Sequence, residues 1–147
     1  MRIRKAIPWD HKKIIALMQQ MPDFFSSETI EYAEQSIAKL WGFVACMQKD
    51  IVWYIVFWKK GKITTKIYRM WVQKNHQGKW IGATLFTKCE QESKSMGSKK
   101  IELITLWDHR DYQWYNNTRT FYKKMWCILS KSCMDEDIEL LTLIKRL

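Results

Sequence analysis

Glycine is scarce in this chain, with 5 among 147 residues, where an average protein carries ~7%. Proline is scarcer still, with 2. No glycine- or proline-rich linker, low-complexity tract or internal repeat is present. The four cysteines, Cys46, Cys89, Cys127 and Cys133, form no C-x-x-C pair, and His11, His76 and His109 are scattered. That spacing argues against a zinc site or a disulfide framework, so reduced thiols and no metal are expected. The longest apolar run, IVWYIVFW from Ile51 to Trp58, is too short to cross a bilayer as a helix. The opening MRIRKAIPWD lacks the apolar segment of a secretory signal. A cytoplasmic protein with no membrane partner is the expectation.

What is present fits one globular domain spanning 1–147, with hydrophobic residues at 47% and charged residues at 27%. The formal net charge is +10. A basic surface draws polyanions, nucleic acid and phosphate-bearing cofactors alike. The lysines are spread out, as in Lys12–Lys13, Lys59–Lys60, Lys99–Lys100 and Lys123–Lys124. No run is long enough to form a nucleic-acid arm, which disfavours nucleic acid as a partner. A basic nucleic-acid-binding module stays open as an alternative, with a contiguous basic and aromatic face as its signature.

The patterning predicts an α+β fold. Arg2 to Ala6 alternates weakly, as a first strand. Ile14, Leu17, Met18 and Met21 share a helical face, with Asp10 as the cap. Ile30, Ala33, Ile37 and Leu40 mark a second helix after a serine cap. Three strands follow, GFVACMQ, IVWYIVFW and ITTKIYRMWV, with turns at Lys49-Asp50 and Lys60-Gly61-Lys62. A helix from about Lys79 to Met96 stops at Gly97. Then come the strand KKIELITL, an aromatic loop, a short helix TRTFYKKM, a short strand CILS, the acidic turn MDED and the strand IELLTLIKRL. The order β-α-α-β-β-β-α-β-α-β-β implies a central mixed, mostly antiparallel sheet flanked by helices.

The turn His76-Gln77-Gly78-Lys79 leads directly into a helix. Amides exposed at a helix start bind phosphate oxygens without needing a basic side chain. Gly78 allows close backbone approach, and Gly82 and Ala83 keep the first helical turn small. An ordinary strand-to-helix turn is the plainer reading of the same residues. The run Gln77-Gly78-Lys79-Trp80-Ile81-Gly82 resembles the acetyl-CoA signature Gln/Arg-x-x-Gly-x-Gly/Ala of the GCN5-related N-acetyltransferase (GNAT) family. TRTFYKKMWC, Thr118 to Cys127, resembles that family's Phe-Tyr-x-Lys-x-Gly-Phe segment, and the preceding YNNTR resembles one bacterial branch of small acetyltransferases. The element order is similar from end to end.

This resemblance implies an N-acetyltransferase that moves an acetyl group from acetyl-CoA, its co-substrate, to a primary amine by direct attack in a ternary complex. The amides of Gln77, Gly78, Lys79, Ile81, Gly82 and Ala83 would hold the pyrophosphate, with Trp80 inside the same cradle. Met70, Trp71 and Val72 would lie along the pantetheine arm. Tyr122 matches the tyrosine that protonates the departing thiolate; a core aromatic with a wet hydroxyl is the plainer reading. Tyr115 stands where the family often has asparagine. Glu102, Asp108 and Asp111 are candidate bases, each also readable as a solvated carboxylate. Phe24, Phe25 and Glu28 are candidates for the acceptor site. The acceptor would be a small-molecule or peptide amine, and small acetyltransferases of this kind often form homodimers.

Tryptophan reverses the glycine scarcity, with 9 residues. Trp80 and Trp126 stand at the glycines of the two signatures. Trp53 falls in IVWYIVF, where the family commonly has IVGY. Trp9, Trp58 and Trp107 fall in turn-like places where glycine is natural. Glycine and tryptophan codons differ by one base, so these positions read as glycine sites of the native protein. Drift in a degenerate, non-catalytic CoA-binding relative is the alternative. Two structural consequences follow. The indole at 80 either points outward or blocks phosphate, and tryptophan at 126 forfeits an easy left-handed helix cap.

Overall fold

The computed structural model describes residues 1–22, 25–72, 80–107, 113–135 and 138–147. Its elements are β1 (Arg2–Lys5), α1 (Pro8–Gln19), α2 (Ser27–Ser36), a short 3-10 turn (Ile37–Lys39), β2 (Trp41–Met47), β3 (Asp50–Lys60), β4 (Thr64–Val72), α3 (Ile81–Ser95), β5 (Lys100–Trp107), α4 (Gln113–Lys124), β6 (Ile128–Asp135) and β7 (Ile138–Arg146). The seven strands form one sheet in the order β1-β2-β3-β4-β5-β7-β6. The β4–β5 pairing is parallel and the β1–β2, β2–β3, β5–β7 and β6–β7 pairings are antiparallel. The α+β class and the element order match the expectation. By contacts the chain divides into two compact units, residues 1–58 with 69–89, and residues 59–68 with 90–147.

In the first unit β3 is the core strand. Ile51 through Phe57 are all buried, as expected of a strand covered on both faces. Phe57 stacks on Phe43 of β2 with ring centroids 6.1 Å apart. Ile14 and Met18 of α1, Ala33 of α2, and Leu85, Phe86 and Cys89 of α3 are buried as well. In the second unit Ile101 and Leu103 of β5 and Leu141 and Leu143 of β7 are buried. Leu103 sits opposite Leu143 in the ladder.

Asp10 caps α1, but not from the expected position. The N-cap is Ile7, and Asp10 is the third residue of the helix. Its carboxylate accepts the Ile7 N–H at 2.8 Å and the N–H groups of the two terminal nitrogens of the Arg4 guanidinium, at 2.5 and 2.8 Å. Burial would raise this carboxyl, yet Arg4, the Ile7 amide and Lys13 hold it below its ordinary value. Ser26 caps α2 as expected, its hydroxyl accepting the Thr29 N–H at 3.2 Å. Both predicted turns sit one residue off. The β2–β3 turn is Gln48-Lys49, with Asp50 opening β3, and the next is Gly61-Lys62-Ile63. The left-handed residues Gln48 (φ 54) and Gly61 (φ 68) set both turns.

Candidate active site

Helix α3 follows the β4 segment, and Trp80 immediately precedes it. The Trp80 carbonyl accepts the Thr84 N–H at 3.0 Å and the Thr84 hydroxyl at 3.0 Å. Thr84 is therefore the first amide answered inside the helix. The amides of Ile81, Gly82 and Ala83 have no acceptor available within it, and they carry the positive end of the helix dipole. Trp80 has φ 59. A left-handed residue beside right-handed ones curls successive N–H groups toward one point, which is the geometry of an anion nest. The indole is 83% exposed. Gln77, Gly78 and Lys79 lie outside the described residues, as does His76.

Upstream, β4 pairs with β5 over Thr64–Lys66 and Lys100–Glu102 among the described residues, while β4 runs on to Val72. Met70 and Trp71 are half-buried on this continuation, and the Val72 backbone closes it. Trp71 lies against Tyr54 with ring centroids 6.3 Å apart. Phe25 lies under the Arg69 guanidinium, 4.9 Å from charge to ring centre. Sequence reading missed Arg69, since a lone arginine in a strand carries no motif. Glu28 is exposed in the first turn of α2, and Phe24 lies outside the described residues. Met70, Trp71, Trp80, Ile81, Gly82 and Ala83 all belong to the first unit.

Tyr122 belongs to the second unit. It is buried in α4, edge-on to Phe121 with centroids 5.2 Å apart. The end of α4 fixes its backbone. The Cys127 N–H reaches the Tyr122 carbonyl and the Trp126 N–H the Lys123 carbonyl, each at 3.0 Å. That pair of bonds is the Schellman closure, and it places Trp126 at the position that takes a left-handed residue. Trp126 has φ 63 and is 81% exposed. Cys127 beside it is buried, and desolvation pushes its thiol up to about 11. A thiol so raised stays protonated near neutral pH and is no nucleophile.

Glu102 fares poorly as a base. Its carboxylate accepts from Lys60 Nζ at 2.9 Å. That bond, against some burial, with Lys66 and Lys100 nearby, holds it below the ordinary glutamate value. A carboxylate so stabilised is a weak proton acceptor. Asp108 and Asp111 lie outside the described residues. Among the described residues no cluster of three or more histidine, cysteine or acidic side chains could hold a metal ion, and no helix is long and apolar enough to cross a membrane.

The acetyltransferase (GNAT) domain family matches residues 34–125, more than half of the chain. The chain belongs to the GNAT acetyltransferase family. Solved structures share its fold at low sequence identity. A GNAT-family protein from Desulfovibrio desulfuricans superposes with a TM-score of 0.83 at 14% identity, covering 99% of this chain and 98% of its own. An aminoglycoside 6'-N-acetyltransferase complexed with coenzyme A gives 0.82 at 17% identity, covering 99% and 97%. The aminoglycoside 6'-N-acetyltransferase from Enterococcus faecium gives 0.78 at 17% identity, again covering 99% and 97%. A search of curated proteins found no match.

The other tryptophan expectations divide. Trp9 lies in the first turn of α1, with Lys12 Nζ 5.2 Å from its ring centre. Trp58 lies within β3 and Trp107 ends β5. None of these three is in a turn, because the flanking apolar patterns carry the helix and strands through them. Trp53 is buried in β3, and its indole N–H has no hydrogen-bond partner among the described residues.

Proposed function

We propose that the chain, acting as one domain over 1–147, transfers an acetyl group from acetyl-CoA to a primary amine by direct attack. The observation that carries this reading is the start of α3, a small-residue helix N-terminus inside the family-matched region. The amides of Ile81, Gly82 and Ala83, with Gln77, Gly78 and Lys79 before them, bind the pyrophosphate through partial positive charge. The β4 backbone from Met70 to Val72 bonds the pantetheine amides. The acceptor nitrogen attacks the thioester carbonyl, the C–S bond breaks, and the Tyr122 hydroxyl gives its proton to the departing sulfur. The amine loses its proton to water, since Glu102 is committed to Lys60. The acceptor is a small-molecule or peptide amine, and the reaction takes place in the cytoplasm.

Trp80 favours a second reading for the tryptophan-bearing chain, a relative that has lost co-substrate binding. Thiol release from acetyl-CoA, followed over a panel of primary amines, separates the two. Turnover by Trp80→Gly, reduced about 10²-fold or more by Tyr122→Phe at unchanged acetyl-CoA KM, is expected from the usual size of a general-acid contribution. Absence of turnover with every amine, for both the tryptophan chain and Trp80→Gly, would contradict the proposal.

A further inference from the structure

Two tryptophans occupy backbone that tryptophan does not choose. Positive φ is found at only a few per cent of non-glycine residues and is a real outlier for a bulky one. Among the described residues it occurs at three non-glycine positions, Gln48, Trp80 and Trp126. Gln48 is a small-turn residue with a polar side chain. The two tryptophans are 83% and 81% exposed, so no packing of the indole compensates for the conformation. Strain of this kind persists where the surroundings over-determine the backbone. At 126 the two closing hydrogen bonds do so. At 80 the entry into α3 does so, with Thr84 bonded twice to the Trp80 carbonyl.

Trp53 misfits in another way. It is buried, its indole N–H has no partner among the described residues, and it lies beside the register shift at Ala45/Cys46 in the β2–β3 ladder. A glycine inside a strand commonly marks such an irregularity. Trp71 is the contrast. It lies in β4 and packs its ring against Tyr54.

We propose that the protein made in its own cells carries glycine at positions 80 and 126, the gene specifying both with the codon UGA. UGA is one base from the tryptophan codon UGG and one base from the glycine codon GGA. Some bacterial genetic codes read it as glycine, and another reads it as tryptophan. Glycine at 80 meets the left-handed backbone without strain and leaves no side chain on the residue that leads into the α3 amides. Glycine at 126 closes α4 behind Tyr122 in the manner usual for helices. Trp71 is expected to be UGG.

Sequencing the gene and weighing the two peptides from protein isolated from its own cells tests this. UGA at both codons and glycine masses at both positions are expected. UGG at either position, or a tryptophan mass at either, overturns the proposal. Recombinant protein supplies a second arm. Trp80→Gly and Trp126→Gly are each expected to raise Tm by a few degrees, while Trp71→Gly lowers it. A fall in Tm on placing glycine at both 80 and 126 overturns the proposal. Neither arm requires acetyl transfer, so a failure of the activity reading would leave this inference standing.

Discussion

Helices α3 and α4 end with the same hydrogen bonds and different residues. At α3 the Gly97 N–H reaches Lys94 and the Ser98 N–H reaches Ser93, each at 2.9 Å. At α4 the Trp126 N–H reaches Lys123 and the Cys127 N–H reaches Tyr122, each at 3.0 Å. The turning residue has φ 76 in one case and φ 63 in the other. In both, the residue after the turn and the residue closing its bond are buried. The geometry is therefore set by the closure and not by the side chain at its apex. Glycine accepts it freely, whereas an L-residue there costs about 1–2 kcal/mol. The comparison locates the misfit at α4 in residue identity, because the backbone does the same thing in both places.

The start of α1 provides the scale for a terminus whose residue and role agree. Asp10→Ala removes the acceptor of the Ile7 amide and strands Arg4. It is expected to cost about 3 kcal/mol in urea unfolding, the low end for breaking a buried pair because Arg4 is partly solvated. Gly97→Trp makes the end of α3 like that of α4 and should cost about 1–2 kcal/mol. A Cβ at Gly97 would meet its nearest atom, Lys59 Nζ, at an ordinary 3.9 Å, so the cost is conformational. The reverse change, Trp126→Gly, should gain about 1 kcal/mol. Trp126→Ala should gain less than half of that, since alanine keeps the same backbone penalty. Equal gains for glycine and alanine would trace the misfit to the indole instead of to φ.

The smallest effect is on pH dependence. Burial lowers the His11 pKa, with Asp10 opposing. The unfolded chain protonates this histidine first as pH falls below about 6.5. Stability is thus fully present above that value and declines as pH drops toward the folded pKa. Asp10 acts in the same sense further down, its contribution being lost as pH falls through its depressed pKa. His11→Gln should flatten the upper part of this decline and leave the lower part, as read by urea midpoints at a series of pH values.

Much of this was legible in the chain. Apolar spacing placed α1, α2 and α3 and the strands β2 to β5, because each has one face or both faces buried. Strand β6 was read as the four residues CILS, yet it runs from Ile128 to Asp135. It is a sheet edge with every residue exposed, so it lacks the alternation that betrays a strand. Helix α4 begins at Gln113, five residues before the predicted start. Its first turns are aromatic and asparagine-rich, a composition that reads as loop. Asp10 was named as a cap but misplaced, since the residue that it caps, Ile7, has no signal of its own. The cradle was legible only as a motif. Its left-handed residue is Trp80, a position that the motif marks as a family glycine but whose φ the sequence does not give.

The most direct measurement is acetyl-CoA binding by calorimetry, on the tryptophan-bearing chain and on Trp80→Gly side by side. The account expects the glycine variant to bind at least about tenfold more tightly, a difference of about 1.4 kcal/mol. Equal binding by both chains would contradict the claim that position 80 belongs to glycine in a working cradle. Absence of binding by both would contradict the cradle itself.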